Sequence, residues 1–317
     1  MRLDADVTVA IAEPSIEMAT GAVARPFHLA GVAVDRPAEA VHRQLRRNRA
    51  WQAQVDRRFS AEQEAPKWTA MYAEATNELD EYFFRLRRNH AIEFVLEHTD
   101  VSDHVLDIGC GAAPVVAGLL AQGRRCIGVE HSLSMLRNGS RRLRAQEIMG
   151  DHLVRGDATA LPFRDQTFTS VVCLGVISYL KDYTRLIEEA ARVLKPGGTL
   201  MLTFRNMHRP VLSDPWEILA RLVRGQPLRD GQENGDWPGR FLDPGKVDRD
   251  VLEAGLVPLG FKGIGYGPLT VRGNEVLPGP VSKRLSDGLS SFFRHLRLDW
   301  PEHWMTDVSV WTYRRPL

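Results

Sequence analysis

Short apolar runs alternate with amphipathic stretches between residues 103 and 204, and this alternation constrains the fold more than any other feature of the chain. The apolar runs read "HVLDI", "CIGVE", "HLVRGD", "SVVCLGVI" and "TLMLTF", and stretches typical of helices lie between them at 114–122, 132–147 and 182–194. Parallel strands need crossover connections, which are usually helices. The pattern therefore predicts an α/β domain with a parallel sheet that is covered on both faces by helices.

The rest of the chain predicts additions around this sheet. Helix-forming residues follow Pro37 as far as residue 58, and apolar residues recur at helical spacing over 67–98. After Phe204 the alternation stops, and residues 205–245 are rich in proline, glycine, tryptophan and aspartate. The elements expected beyond Phe204 are helices at 214–223, 244–254 and 281–298, a strand near 261–267 and a last strand in "MTDVSVWTYRR".

Composition limits the classes of protein and of partner. With 317 residues, 44% of them hydrophobic, the chain suits one large domain with elaborations. A net charge of +1 gives no overall attraction to nucleic acids or anionic membranes, and no apolar run of about 18 residues predicts a transmembrane helix. The widely spaced Cys110, Cys126 and Cys173 indicate reduced thiols in a cytoplasmic protein, with neither disulfides nor a metal site.

A glycine loop follows the first apolar run. "HVLDI" leads into Gly109-Cys110-Gly111, where glycine lets the backbone turn sharply and lets a ligand approach closely. Glu130 ends the next run, 23 residues after Asp107, and could accept hydrogen bonds from ribose hydroxyls. NAD, FAD or another adenosine ligand would fit these features. However, Pro114 stands where a dinucleotide loop has its third glycine, and Asp107 would repel a pyrophosphate but suit a cationic ligand.

Two further motifs narrow the choice among these adenosine ligands. "GDATALPF" places Asp157 at the end of the third strand, where it could accept from an adenine amino group, and "RVLKPGG" is a helix stop before the fifth strand. Together with "VLDIGCGAAP" and "CIGVE", these motifs resemble those of class I S-adenosylmethionine-dependent methyltransferases, in the order and spacing of that family. The resemblance covers about residues 103–204, and Ala113 is a departure, because many members have glycine or serine there.

The resemblance implies a fold, a cofactor and a set of cofactor contacts. The fold is a Rossmann-like, seven-stranded sheet, mostly parallel with an antiparallel last strand and helices on both faces. The cofactor is S-adenosyl-L-methionine, which leaves as S-adenosyl-L-homocysteine. The cofactor contacts implied by position in the motifs are Asp107, Gly109, Cys110, Gly111, Glu130, His131, Met135, Asp157, Ala158, Leu174 and Gly175.

The acceptor side carries no obligatory motif, because the sulfonium already activates the methyl group and the protein mainly has to position the acceptor. Tyr179 follows the fourth strand, and Arg205, Asn206 and His208 follow the fifth, so all four are candidates to bind substrate. Tyr179 and His208 are also the candidate catalytic residues, and His208 is the best-placed histidine for a general base.

In similar small-molecule methyltransferases, helices before the sheet form a lid. We therefore expect an N-terminal arm and helical lid at 1–100 and a methyltransferase domain at 101–317, with cap insertions at about 205–245 and 269–304. The lid residues expected at the cofactor are Tyr72 and Arg88, and those expected at the substrate are Trp68 and Tyr82.

Caps over the carboxyl edge of the sheet favour an enclosed small acceptor, such as a secondary metabolite, methylated on oxygen, nitrogen or carbon. No nucleic acid or membrane partner is expected, and a homodimer is an option because helical N-terminal arms often pack across subunits. Three alternatives stay open: an RNA or protein methyltransferase, supported only by the arginine-rich stretch 43–58; a non-catalytic cofactor-binding protein; and a nicotinamide oxidoreductase, disfavoured by Pro114 and "KPGG".

Overall fold

The structure of the protein is a computed structural model. The residues it describes are 27–29, 32–34, 55, 57, 59, 79–208, 223, 233–234, 237–266, 270–271, 274–275, 277–296 and 306–317. Most of the helices predicted at 37–58 and 214–223, and residues 67–78 of the helix predicted at 67–98, lie outside these ranges.

A seven-stranded mixed sheet forms the centre of the molecule. Its strands are β1 (His104–Ile108), β2 (Arg125–Glu130), β3 (Leu153–Arg155), β4 (Phe168–Leu174), β5 (Leu194–Arg205), β6 (Val257–Ile264) and β7 (Val308–Arg314). They are ordered β6-β7-β5-β4-β1-β2-β3, and β7 is antiparallel to both of its neighbours while the other adjacent pairs are parallel. The predicted sheet, with its single antiparallel last strand, is confirmed.

Helices connect and cover the strands. They are α1 (Leu79–His98), α2 (Pro114–Ala121), α3 (Leu133–Ala145), α4 (Thr184–Val193), α5 (Pro244–Glu253) and α6 (Gly279–His295), with a 3₁₀ helix at Val176–Tyr179. Three short antiparallel hairpins pair Phe27–Leu29 with Val32–Val34, Glu233–Asn234 with Trp237–Arg240, and Thr270–Val271 with Asn274–Glu275.

The start of β5 differs from its prediction. "KPGG" was expected as a turn before the strand, but β5 already begins at Leu194 and includes these residues. The C-terminal segment explains the difference, because the Gly197 N–H donates to the Arg315 carbonyl (2.9 Å) and the Arg315 N–H donates to the Gly198 carbonyl (2.8 Å). These hydrogen bonds hold the turn as an irregular extension of the strand.

Apolar residues on both faces of the sheet build the core. Successive side chains of a strand point to opposite faces, and in β1 Val105 packs with α1 and α2 while Leu106 packs with α4 and α5. Both side chains are completely buried, as expected for a central parallel strand. Asp107 and Glu130, near the carboxyl ends of β1 and β2, lie at the edge of the sheet where β4 also terminates.

Candidate active site

A cavity of about 460 Å³ lies beyond the carboxyl ends of β1, β2 and β4. The strand ends and the loops after them form its floor. Phe83, Phe84 and Arg87 of α1 form one wall, and Val55 and Phe59 of the N-terminal region also line it. Open parallel sheets bind ligands at this edge, so the cavity is the candidate active site.

The glycine loop after β1 is fixed by its backbone. The amides of Gly109 and Cys110 both donate to the Val129 carbonyl of β2, at 2.8 and 3.0 Å. Gly109 has a positive φ of 69°, and a Cβ at this position would overlap the Val176 side chain, so only glycine fits. Ala113, the residue that departs from the family pattern, also has a left-handed backbone, with φ 57°. That conformation costs a non-glycine residue about 1–2 kcal/mol.

Asp107 is a buried acid at the floor of the cavity. Only 2% of its surface is exposed, and no described residue donates a hydrogen bond to its carboxylate. Burial, together with the nearby charge of Glu130, raises the pKa of Asp107 well above its usual value. A cationic group beside Asp107 would favour the charged carboxylate again.

Glu130 joins two loops of the site. Its carboxylate accepts hydrogen bonds from the backbone amides of Gly111 (3.0 Å) and Ser132 (2.8 Å), so it ties the glycine loop to the start of α3. Burial raises the pKa of Glu130, and these amide hydrogen bonds act in the opposite direction. Glu130 therefore shapes the site and also faces into it.

The far end of the cavity is formed by α3 and the loop after β3. Met135, buried in the first turn of α3, lines the cavity together with His131, Asp157 and Ala158. One carboxylate oxygen of Asp157 accepts from both the amide and the hydroxyl of Thr159, each at 2.8 Å. These bonds fix the loop so that Asp157 and Ala158 stay at the cavity wall.

Tyr179 and Arg205 border the opposite end. Tyr179 meets the Phe59 ring edge-on, with 5.0 Å between ring centroids, and the Arg205 guanidinium lies 4.9 Å from the centre of the Phe241 ring. Cys110, Gly111, Leu174 and Gly175 also line the cavity. Most of the residues predicted at the site are thus brought together around one space.

Four predicted site residues do not line the cavity: Tyr82, Arg88, Asn206 and His208. The Tyr82 hydroxyl donates to Asp287 at 2.7 Å, and burial together with this bond raises its pKa to about 12. Arg88 is on the exposed side of α1 and donates to the side chain of Asn89, the next residue along the helix. Tyr82 and Arg88 therefore belong to the surroundings of the site rather than to its lining.

Asn206 and His208 lie behind Arg205. Asn206 is fully buried, and its side-chain oxygen accepts from the His208 backbone amide at 3.0 Å. The His208 ring is 3.9 Å from Asp243 at the start of α5, and burial lowers the pKa of the imidazole. Trp68 and Tyr72, the other two predicted lid residues, lie outside the described residues.

Arg87, next to the predicted Arg88, is the arginine of α1 that lines the cavity. Arg87 is only 7% exposed, and its guanidinium lies 4.0 Å from the centre of the Phe84 ring. The guanidinium also approaches Gly175 closely, since one of its nitrogens is 3.2 Å from the position that a Cβ on Gly175 would occupy. A signal in the sequence could have found it, because Phe83, Arg87, Ala91 and Val95 recur every four residues and form the buried face of α1.

Among the residues that the structure describes, no group of histidine, cysteine, aspartate and glutamate side chains could hold a metal ion. No helix among the same residues is long and apolar enough to cross a membrane.

The sequence model of a family described as "Methyltransferase domain" matches residues 106–202, from β1 into β5. This match contains the glycine loop, Glu130 and Asp157, which line the cavity. Residues 106–202 therefore form a methyltransferase domain of the class I S-adenosylmethionine-dependent kind. S-adenosylmethionine is the cofactor of that family.

Curated relatives match the chain over part of their length. It is 30% identical to the ubiquinone biosynthesis O-methyltransferase of Alkalilimnicola ehrlichii over 171 residues, which are 53% of this chain and 66% of the relative. It is 31% identical to a demethylmenaquinone methyltransferase of Mycobacterium sp. (strain KMS) over 134 residues, which are 39% of this chain and 55% of the relative. The chain thus spans about half to two thirds of the length of these proteins.

Solved structures share the fold at low sequence identity. A phosphoethanolamine N-methyltransferase 2 of Haemonchus contortus superposes with a TM-score of 0.55 at 14% identity, covering 84% of this chain and 60% of that one. The magnesium protoporphyrin IX methyltransferase of Synechocystis PCC 6803 gives a TM-score of 0.53 at 12% identity, covering 84% of this chain and 99% of that one. Both show the architecture of the methyltransferase domain.

Proposed function

We propose that this protein transfers the methyl group of S-adenosylmethionine to an oxygen, nitrogen or carbon atom of a small molecule that the cavity encloses. The observation that carries the proposal is the Asp107 carboxylate, which is buried beside the glycine loop and faces the cavity. A buried carboxylate at this position repels a pyrophosphate and favours a cofactor that carries positive charge.

The lining residues match the parts of this cofactor one by one. Asp107 would hold the ammonium group of the methionine end, and Arg87 of α1 would hold its carboxylate. Glu130, at the end of β2, would accept from the ribose hydroxyls. Met135 and the loop of Asp157 and Ala158 would enclose the adenine.

When bound, the cofactor supplies an activated methyl group, so the protein's part is to position the acceptor and exclude water. Phe59, Phe83 and Phe84 place aromatic surface along the cavity wall. Tyr179 has its ring fixed against Phe59, and its hydroxyl is the candidate to take a proton from an acceptor or to orient it. The ring of His208 does not line the cavity, so Tyr179 is the stronger catalytic candidate of the two.

Phe59 makes the contacts that support a proposed lid. Its carbonyl accepts hydrogen bonds from the hydroxyls of Ser132 and Ser134 at the start of α3, both at 2.9 Å, while its ring contacts Tyr179 on the other side of the cavity. Phe59 therefore joins the start of α3, at the adenine end, to Tyr179 at the acceptor end. These contacts support an N-terminal lid at 1–100 over a methyltransferase domain at 101–317.

A small acceptor is favoured over RNA or protein. The cavity is bounded by α1 and Phe59 as well as by the sheet, which leaves a pocket rather than a groove. The curated relatives are named for ubiquinone biosynthesis and for demethylmenaquinone, and quinone compounds are small molecules. The three described cysteines are free thiols, which supports the cytoplasm as the proposed location, and a homodimer is retained as the proposed assembly.

Transfer of a radioactive methyl group tests the proposal. The protein is incubated with tritiated S-adenosylmethionine and, separately, with the small-molecule, RNA and protein fractions of cells. We expect label in the small-molecule fraction and none from an Asp107→Ala variant that melts cooperatively. Label in RNA or protein alone would contradict the small-molecule proposal, and cofactor binding without label in any fraction would favour a non-catalytic protein.

A further inference from the structure

Two guanidinium groups line the cavity, and neither has an anionic partner among the described residues. Arg87 rests on the Phe84 ring and Arg205 on the Phe241 ring, and the side chains of both arginines make no hydrogen bond or ion pair within that part of the chain. Arginine keeps its positive charge at any physiological pH. Four carboxylates line the same cavity, so each arginine marks a local position for an anionic group rather than a net positive charge of the cavity.

The two arginines lie at different places in the cavity. Arg87 approaches Gly175 at the end of β4, on the side of the glycine loop and Asp107. Arg205 is the last residue of β5 and adjoins the 3₁₀ helix, since its backbone amide donates to the Ser178 hydroxyl oxygen at 3.4 Å. Arg205 is therefore on the side of Tyr179, where the proposed function places the acceptor.

The number of anionic groups on the cofactor distinguishes the role of Arg87 from that of Arg205. The proposed cofactor has a single carboxylate, and Arg87 is placed to bind it. Arg205 is left without a cofactor group to neutralise it. Asp307, at the edge of β7, also lines the cavity but makes no ion pair with Arg205. The positive charge of Arg205 is thus available to the second ligand.

Resting on the proposed function, we propose that the methyl acceptor is an acid: a molecule with an apolar, ring-bearing body and a carboxylate or similar oxyanion that Arg205 binds. Tyr179, Phe59 and Leu180 supply apolar and aromatic surface beside Arg205. The Ser178 hydroxyl uses its oxygen to accept from the Arg205 amide, so its proton can be donated to the same oxyanion. Specificity for an acid then comes from two hydrogen-bond donors, the charged guanidinium of Arg205 and the neutral hydroxyl of Ser178.

A matched pair of fluorescent probes tests this inference. 1-Anilinonaphthalene-8-sulfonate and N-phenyl-1-naphthylamine have the same rings, and only the first carries an anionic group. Both are titrated into protein saturated with S-adenosylhomocysteine, in the wild type, in Arg205→Gln and in Arg314→Gln. Arg314 is an exposed arginine at the far end of β7, which makes it the control. Calorimetry measures S-adenosylhomocysteine affinity in the same proteins and in Arg87→Gln.

We expect the sulfonate to bind at least about tenfold more tightly than the neutral probe, as for a charge-assisted hydrogen bond. Arg205→Gln should abolish this preference without changing the affinity for the neutral probe or for S-adenosylhomocysteine, whereas Arg87→Gln should weaken S-adenosylhomocysteine. Equal affinity for the two probes, a preference that survives in Arg205→Gln, or a loss of S-adenosylhomocysteine affinity in Arg205→Gln would overturn the inference. Failure of wild-type protein to bind S-adenosylhomocysteine would instead overturn the proposed function.

Discussion

Replacing Asp107 with asparagine should stabilise the ligand-free protein and at the same time weaken cofactor binding. The asparagine amide keeps the shape of the side chain and removes a charge that is buried beside Glu130. Because burial and Glu130 raise the pKa of Asp107 in the folded state, its contribution to stability is fully present below the unfolded pKa and is lost as the pH rises through the folded pKa. The advantage of Asp107→Asn should therefore grow with pH.

The magnitude follows from the cost of a buried polar group that has no hydrogen-bond partner. Such a group destabilises the folded state by about 1–3 kcal/mol, and by more when it is charged, so replacing the Asp107 charge with an amide should gain roughly 1–3 kcal/mol at pH 8. In a chain of this size about 1 kcal/mol moves the melting temperature by about 2–4 °C, which gives a rise of roughly 2–12 °C. Loss of a charge-assisted hydrogen bond should weaken S-adenosylhomocysteine binding by roughly 10-fold to 150-fold.

Thermal melting of the ligand-free proteins at pH 5 and pH 8, with calorimetry of S-adenosylhomocysteine, measures both effects. Asp103→Asn is the matched control, since Asp103 lies just before the opposite end of β1. Burial acts to raise the pKa of Asp103, but hydrogen bonds with Asp100 and Thr169 outweigh it and lower that pKa. Asp103→Asn should reduce stability at neutral pH and leave binding unchanged. The reasoning is refuted if Asp107→Asn melts below the wild type at pH 8 or binds S-adenosylhomocysteine with wild-type affinity.

Three further predictions concern the loop, the lid and the acceptor. Gly109→Ala should lower the free energy of unfolding in urea by roughly 2–5 kcal/mol, because Gly109 has a positive φ and the new Cβ would overlap Val176. Gly111→Ala, whose Cβ would have no atom within 4 Å, should lower it by only about 1–2 kcal/mol. Equal losses in the two variants would contradict the contact with Val176. Ser134→Ala removes one hydrogen bond to Phe59, so S-adenosylhomocysteine should dissociate about fivefold faster in stopped-flow experiments while the melting temperature stays the same. An unchanged dissociation rate would argue against the lid. Tyr179→Phe should lower kcat with the labelled small-molecule fraction by at least about 10²-fold while cofactor affinity stays constant, and an unaltered kcat would restrict Tyr179 to packing.

Local patterns were enough to predict the sheet and the cofactor side of the site. Each of Asp107, Glu130 and Asp157 stands at or next to the end of an apolar run, and strands that run in parallel bring such ends to one edge. The glycine loop was recognisable because glycine is the residue type that adopts its left-handed backbone without strain. These features depend on short stretches of sequence and on one rule of topology.

The helix over the site was harder to predict, because a shift of one residue on a helix turns a side chain by about 100°. Arg88 was expected at the cofactor, but Arg87 shares the buried face of α1 with Phe83 and Ala91. Tyr82 was expected at the acceptor, but it pairs with Asp287, which is 205 residues away in sequence and belongs to α6. Contacts of that kind depend on tertiary packing, which no local pattern in the sequence encodes.

Calorimetric titration of the wild-type protein with S-adenosylhomocysteine and, separately, with NAD tests the central claim most directly. The cavity with Asp107 beside the glycine loop and Glu130 at the end of β2 predicts saturable one-to-one binding of S-adenosylhomocysteine and no measurable binding of NAD. Binding of NAD without binding of S-adenosylhomocysteine would contradict the account.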